Sequence, residues 1–224
     1  MLSLGLDTST PLGSVALADD DGLLAESLLP LRVVHSETVL PEIDRLLRGC
    51  GRAARQIDRV VVGSGPGSFT GVRIAAAVAK GLRASTGARL FAYPSLAAIA
   101  AGLGATGPVC AMIDARRGQV YAAGYDPRDG VRELFAPLAR PLDELLPTLE
   151  PMTEWTLAGT LPDALRERAR RLGFRVAPPH TGVPRAAALL WLAEADPESG
   201  QVERPDTWEP GYVRASSAER GLGC

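Results

Sequence analysis

The chain opens Leu2-Ser3-Leu4-Gly5-Leu6-Asp7-Thr8-Ser9-Thr10-Pro11-Leu12-Gly13-Ser14-Val15-Ala16-Leu17-Ala18. Residues 2–6 form a short apolar run that stops at Asp7 and the turn-forming Thr8-Ser9-Thr10-Pro11. Residues 14–18 resume the apolar pattern after Gly13. Asp19-Asp20-Asp21-Gly22 reads as a hairpin turn, and residues 23–29 return as a third strand. The opening is therefore a three-stranded antiparallel meander. A similar sequence recurs later: residues 109–113 are apolar, end in Asp114, and Gly118-Gln119-Val120 leads a strand over 118–126, as Gly13-Ser14-Val15 follows Asp7. The two spacings differ by two residues, and the recurrence reads as an internal duplication.

Between the two copies the pattern changes period. Val39, Leu40, Ile43, Leu46 and Leu47 mark one face of a helix over 36–48, with Ser36 as N-cap, Pro41 in its first turn and Gly49 and Gly51 ending it. Residues 57–63 read as a strand whose Val60-Val61-Val62 run is of the kind buried on both faces. A glycine loop follows, then an alanine-rich helix from about Val72 to Ser85, a strand over 89–93 and a helix over 95–102. The first half thus reads βββαβαβα. Gly104-Ala105-Thr106-Gly107-Pro108 is the domain boundary, dividing the chain into 1–104 and 105–224. In the second half, 127–151 reads as irregular apart from a short helix near 142–149. A strand is expected at 155–158 and helices at 163–172 and 185–195, with Leu189, Leu190 and Leu192 facing inward. The polar, proline- and glycine-rich stretch from Pro197 ends in a tail expected to be mobile from about 205.

The totals exclude several classes of function. At 224 residues and 46% hydrophobic, the chain has the size and composition of a globular protein with a real core. Its apolar runs fall far short of the roughly 20 residues of a membrane span. Residues 2–6 are too short for a signal-peptide core, so the expected location is cytoplasmic. Cys50, Cys110 and Cys224 lie far apart without CxxC spacing and read as reduced thiols. The two histidines, His35 and His180, belong to no HxxxH or HExxH pair, so no histidine-based metal centre is expected, and neither lies in a nucleophile signature. Net charge is −2 with an isoelectric point near 5.8, and the arginines are scattered among acids. Tight RNA binding by this chain alone is not expected.

Gly63-Ser64-Gly65-Pro66-Gly67-Ser68-Phe69-Thr70-Gly71 is the stretch to which chemistry is most readily assigned. A strand, a glycine loop and a helix N-terminus present free N–H groups to an anion. No Gly-Lys-Ser/Thr closes the loop, and its glycines miss the dinucleotide spacing. A phosphate contact and a tight turn for close packing both remain open. Asp7 likewise reads either as the ligand of a metal–nucleotide or as an Asx turn. Asp114 reads more simply as a turn or capping residue. No cofactor is assigned with certainty; were ATP or ADP to bind, the candidate residues are Asp7, Thr8, Ser9, Gly65, Gly67 and Ser68.

Leu4-Gly5-Leu6-Asp7-Thr8-Ser9, His35-Ser36-Glu37, Gly65-Pro66-Gly67-Ser68-Phe69-Thr70-Gly71-Val72-Arg73-Ile74, Asp114-Ala115-Arg116-Arg117-Gly118-Gln119-Val120-Tyr121 and Pro210-Gly211-Tyr212-Val213-Arg214 together resemble the TsaB (YeaZ) family, in the family's order and over nearly the whole chain. The resemblance implies an α/β actin-like (ASKHA, ribonuclease-H-like) fold of two related halves. It implies a catalytically silent subunit of the machinery that transfers threonylcarbamoyl to N6 of adenosine 37 in tRNAs reading codons that begin with A. The implied partners are a TsaD-type catalytic subunit and a TsaE-type ATPase, with tRNA met only through the complex and a homodimer formed when the chain is alone. Docking would use the helices over 36–48 and 70–85, with Val39, Ile43, Leu46, Ile74 and Val78 as candidate contacts. The alternative is an active actin-fold ATPase or kinase built on Asp7 and the Gly65–Gly67 loop.

Overall fold

The computed structural model describes residues 1–31, 35–128, 130–149, 154–211 and 213, with residues 35–37 described by main chain alone. In chain order the first half contains β1 (Leu2–Asp7), β2 (Leu12–Asp19), β3 (Gly22–Pro30), α1 (His35–Gly49), β4 (Ile57–Gly63), α2 (Phe69–Thr86), β5 (Arg89–Tyr93) and α3 (Ser95–Gly102). The second contains β6 (Val109–Arg116), β7 (Gln119–Asp126), β8 (Arg132–Pro141), α4 (Leu142–Leu145), β9 (Thr156–Thr160), α5 (Asp163–Arg171), β10 (Arg175–Val176), α6 (Ala186–Ala195) and α7 (Pro197–Gly200).

These strands form two five-stranded sheets, ordered β3-β2-β1-β4-β5 and β8-β7-β6-β9-β10. In each sheet the first three strands in sequence pair antiparallel. The last two then add in parallel on the other side of the first. The same order twice is what the repeated strand–Asp–turn signal predicts, and it is the actin-like arrangement of two related halves.

Period-two alternation sorts the side chains of the first sheet into two cores. Leu4, Leu6, Val15, Leu17, Val60 and Val62 face outward onto α1 and α2, which close that face with Val39, Ile43, Leu46, Leu47, Ala75 and Ala79. Ala16, Ala18 and Val61 face inward, where they meet Leu96 and Ile99 of α3, Leu189 and Leu190 of α6, and Ala111, Ile113 and Ala123 of the second sheet. The fit is close enough that a Cβ at Gly5 would lie 2.7 Å from the Ala186 carbonyl oxygen, so α6 can cross β1 there only over a glycine. On the far side of the second sheet, Leu142, Leu145, Leu146 and Ala169 of the α4 and α5 region cover Cys110, Met112, Val120 and Leu157. The division at 104 separates the two sheets in sequence. The inner helices cross it, because α3 packs on β6 and β7 while α6 packs on β1, β2 and β4.

Three local readings change. The stretch read as irregular contains the ten-residue strand β8. Its prolines and charges disguise it, and they are tolerated because β8 is an edge strand whose pairing with β7 breaks register around Pro137. Helix α1 begins at His35, so Pro41 lies in the helix body and not in its first turn. Its ring sits on the exposed side, where water can satisfy the carbonyl that it frees. The side chain of Ser36, read as the cap, lies outside the described residues. The segment after α7 does not leave the fold at 205: Gln201 bridges Phe91, the Val202 N–H donates to the Leu90 carbonyl at 3.0 Å, and Trp208 packs against the first-sheet core. Residues 214–224 lie outside the described residues.

Helix α6 is pinned at both ends. At its start, Ala186 N–H donates to Ser14 Oγ at 2.9 Å and Ala187 N–H to Glu26 Oε1 at 3.2 Å, and Arg185 holds the same carboxylate. Burial alone would push the Glu26 carboxyl up, but Arg185 and the helix N–H together bring it below its usual range. At the far end the buried Arg59 guanidinium donates to the Ala193 carbonyl and to Ser3 Oγ, both at 3.0 Å. Among the described residues its acidic contact is Glu194 at 3.4 Å, whose side chain is largely exposed. Arg59→Met is therefore expected to cost about 2 kcal/mol in urea unfolding, since a charge-assisted bond to a buried carbonyl is lost. Glu194→Ala should stay within about 0.5 kcal/mol. Equal losses from the two substitutions would assign the work to the ion pair instead.

Candidate functional site

β1 delivers Asp7 to the centre of the molecule. Its parallel neighbour β4 ends at Gly63, beside it, and α3 begins with Ser95 on the next connection. Asp7 is fully buried, as are Thr8, Ser9 and Thr10 to within 2% exposure. Both carboxylate oxygens of Asp7 are engaged. Oδ1 accepts from the Ser9 N–H at 2.7 Å and from Ser9 Oγ at 2.6 Å, and Oδ2 accepts from Ser95 Oγ at 2.6 Å. Burial raises the Asp7 pKa above its ordinary value, against the lowering effect of those three hydrogen bonds. A Cβ at Gly63 would sit 1.9 Å from Oδ2, so no atom fits on that side.

The glycine loop closes over this carboxyl. The Ser68 N–H donates to the Ser9 carbonyl at 2.7 Å, and the Thr8 hydroxyl donates to the Gly71 carbonyl at 2.6 Å. A Cβ at Gly67 would lie 2.3 Å from the Ser9 oxygen and one at Gly71 1.9 Å from the Thr8 oxygen. Four of the loop and helix-start donors that a phosphate could use have partners within the chain, the first being Ser68 N–H, already described. Gly71 N–H is capped by Ser68 Oγ at 3.3 Å, Val72 N–H by the Ser68 carbonyl, and Gly65 N–H by Ser95 Oγ at 3.2 Å. Asp7, Thr8, Ser9, Gly65, Gly67 and Ser68, the residues read as nucleotide-site candidates, lie together in the fold. They meet as a packed clasp, with no open cradle between them.

Asp114, the counterpart of Asp7, stands exposed and caps its own turn, with Oδ1 accepting from the Arg116 N–H at 2.8 Å. Arg116, Arg117 and Gly118 carry that turn with φ of 64°, 54° and 75°. Among the described residues, no group of three or more His, Cys, Asp or Glu side chains is placed to hold a metal. His180 lies exposed in a single turn, Pro179–Thr181; the side chain of His35 is outside the description.

The docking candidates divide. Val39, Ile43 and Leu46 are 0%, 2% and 6% exposed, and they fill the first-sheet core. Their helical spacing marked the buried face of α1, so these three positions are corrected to core residues. Ile74 and Val78 are half-buried at the edge of the same core. The outer surface of the two helices carries Leu40 (51% exposed) and Phe69 (40%), with Arg73, Ala77 and Gly81 also exposed. The Arg73 guanidinium lies 4.1 Å from the centre of the Phe69 ring.

Sequence reasoning missed Ser95, Glu26 and Arg185. Ser95 lies 88 positions from Asp7, and its only local signal was a serine opening a helix after Pro94. Glu26 was legible as the one acid in the mainly apolar stretch 23–29, but its partner Arg185 lies 159 positions away.

Comparison with known proteins identifies relatives of this chain. The family model described as TsaD: tRNA N6-adenosine threonylcarbamoyltransferase matches residues 32–146. The tRNA threonylcarbamoyladenosine biosynthesis protein TsaB of Escherichia coli is 31% identical over 99% of this chain and 98% of its own length. TsaB of Bacillus subtilis is 38% identical over 61% of this chain, and the match spans 60% of that protein. A Pseudomonas aeruginosa crystal structure, described as an uncharacterized protein with similarity to peptidase YeaZ, superposes with a TM-score of 0.81 at 30% identity. It covers 95% of this chain and 99% of that one. The shared fold and 31% identity over nearly the whole length of a TsaB protein place this chain in the TsaB (YeaZ) family of tRNA threonylcarbamoyladenosine biosynthesis proteins.

Proposed function

We propose that this chain is a supporting subunit of threonylcarbamoyl transfer to N6 of adenosine 37 in tRNAs reading codons that begin with A, and that it carries out no chemistry of its own. It docks on a TsaD-type catalytic subunit through the outer face of α1 and α2, recruits a TsaE-type ATPase, meets tRNA only through that assembly, and pairs with a second copy when alone. The observation that carries this reading is the closed clasp. An aspartate that handles a metal–nucleotide needs a free oxygen, and the Asp7 oxygens are taken by Ser9 and Ser95. A phosphate loop needs free N–H groups, and those of Gly65, Ser68, Gly71 and Val72 donate within the chain. With both Asp7 oxygens and these four N–H groups engaged inside the chain, the clasp as packed argues against a bound nucleotide.

The docking face rests on different support. Leu40 and Phe69 are large, exposed apolar side chains on adjacent helices, and Ala77 and Gly81, further along the exposed side of α2, would let another helix approach closely. A Cβ at Gly81 would meet nothing within 4 Å. A charge at a buried position such as Ile43 would unfold the chain and report nothing about docking. Ala77→Asp places the charge on the surface instead.

The test is modification of tRNA in vitro, with threonylcarbamoyl-adenylate and the TsaD- and TsaE-type proteins from the same source. Product is expected only when this chain is added, and Ala77→Asp should abolish it while leaving the unfolding midpoint unchanged. Full modification without the chain would remove the proposal.

Asp7→Asn separates the structural from the chemical role. The variant is expected to support modification close to the wild-type level. A fall on the order of 100-fold, typical when a transition-state contact is deleted, would return Asp7 to catalysis. Stability gives a second reading with a definite sign. Because the folded-state pKa is raised, the protonated carboxyl's contribution is whole below the ordinary 3.8 and is lost as pH rises through the folded value. Wild-type stability relative to Asp7→Asn should therefore fall from pH 4 upward, read as paired unfolding curves. A difference that grows with pH would mean that the buried carboxylate prefers its charge.

A further inference from the structure

The chain after α6 wraps the edge of the first sheet from one face to the other. It starts on the inner face, where Tyr93 Oη donates to the Asp196 carbonyl at 2.6 Å. It crosses β5 at Gly200, where a Cβ would lie 2.0 Å from the Tyr93 ring, so only glycine passes. Gln201 and Val202 then pair with the free edge of β5. On the outer face the chain turns at Arg204–Trp208, with Trp208 N–H donating to the Arg204 carbonyl at 2.9 Å, and runs along α2. Asp206 pairs with Arg83 and Glu209 with Lys80, each at 3.3 Å. Trp208 packs on the core that also receives Ile74, Val78 and Leu82 of α2, and the Gly211 carbonyl ends beside Gly65. The outer layer of the first sheet therefore has three members: α1 over β2 and β3, α2 over β4, and this segment along β5.

We propose that residues 200–211 are a positioning strap for α2, tying the outer helix to α6 across the sheet edge and setting the helix face offered to a partner. The inference rests on the docking reading above and names residues outside the docking face that control it. Two features support it. The ion pairs are exposed and weak singly, so they serve to register the strap along the helix. Trp208 supplies the apolar contact, on the flank of α2 away from α1. Neither Trp208 nor Asp206 belongs to the face formed by Leu40, Phe69 and Ala77.

The test measures affinity of the full chain for the TsaD-type protein from the same source by titration calorimetry, with hydrogen exchange followed along α2. Trp208→Ala is expected to weaken docking about tenfold, equivalent to 1.4 kcal/mol, and to speed exchange in α2 while α1 is unchanged. Trp208→Phe should recover most of the affinity. Arg83→Asp should weaken docking, and the reversed pair Arg83→Asp with Asp206→Arg should restore it, which a general loss of fold would not do. If Trp208→Ala leaves too little folded protein, the reversed pair decides alone. Wild-type affinity in Trp208→Ala, or no rescue by the reversed pair, while Ala77→Asp abolishes docking, overturns the strap. Docking unaffected by Ala77→Asp overturns the underlying reading of the face, and the strap with it.

Discussion

A buried carboxyl group sets the terms for the rest of this molecule. Asp7 has no exposed surface, and taking such a group out of water is costly unless hydrogen bonds replace the lost hydration. Ser9 and Ser95 supply them, and in doing so join the end of β1 to the start of α3. The space left around the carboxyl admits no side chain from β4, which is why that strand ends in Gly63. The same crowding explains Gly67 and Gly71, whose backbones press on Ser9 and Thr8. A loop whose glycines suggested a phosphate cradle is spent on bringing three chain segments within hydrogen-bond reach of one another.

The duplicated half makes the point by contrast. Asp114 stands near the end of β6 as Asp7 stands at the end of β1, yet it is exposed and caps its own turn. Among the described residues no glycine loop is folded over it, and its neighbours Arg116 and Arg117 accept left-handed backbone angles that glycine or asparagine would adopt more easily. The strand order of the two sheets is the same, so the difference lies in the connections alone. The connection that follows β4 seals the first aspartate, and the corresponding stretch of the second half leaves its aspartate open.

Much of this architecture was legible because it rests on local pattern. The meander, the buried strand at 57–63 and the helices at 95–102 and 163–172 follow from apolar period and from turn residues. What escaped shares a physical cause. β8 was hidden because an edge strand need not alternate cleanly and can carry proline. Val39, Ile43 and Leu46 were rightly seen as one helical face, but periodicity cannot say whether that face meets the chain's own sheet or another protein. Arg185 and Ser95 act on residues 159 and 88 positions away, a distance at which no window of sequence pairs them. The segment after Gly200 lacked period altogether, because its contacts are single main-chain bonds, one tryptophan and surface ion pairs.

The placement of α3 and α6 bears on how such a protein serves a partner. An actin-fold enzyme that closes on its ligand needs its halves to move. Here the two inner helices lie between the sheets in one continuous core that joins residues of both. Helix α6 is fixed at its start by Ser14, Glu26 and Arg185 and at its end by Arg59, groups that all come from the first half apart from Arg185, its own N-cap. A body braced in this way presents a surface that is already ordered. Ordering side chains and loops is a main cost of association, so a rigid helix pair meets a partner with more of its contact energy kept as affinity. On the docking reading, then, the interior hydrogen bonds and the outer surface belong to one arrangement: the clasp, the pinned helix and the chain that wraps the sheet edge each remove a freedom that binding would otherwise have to remove.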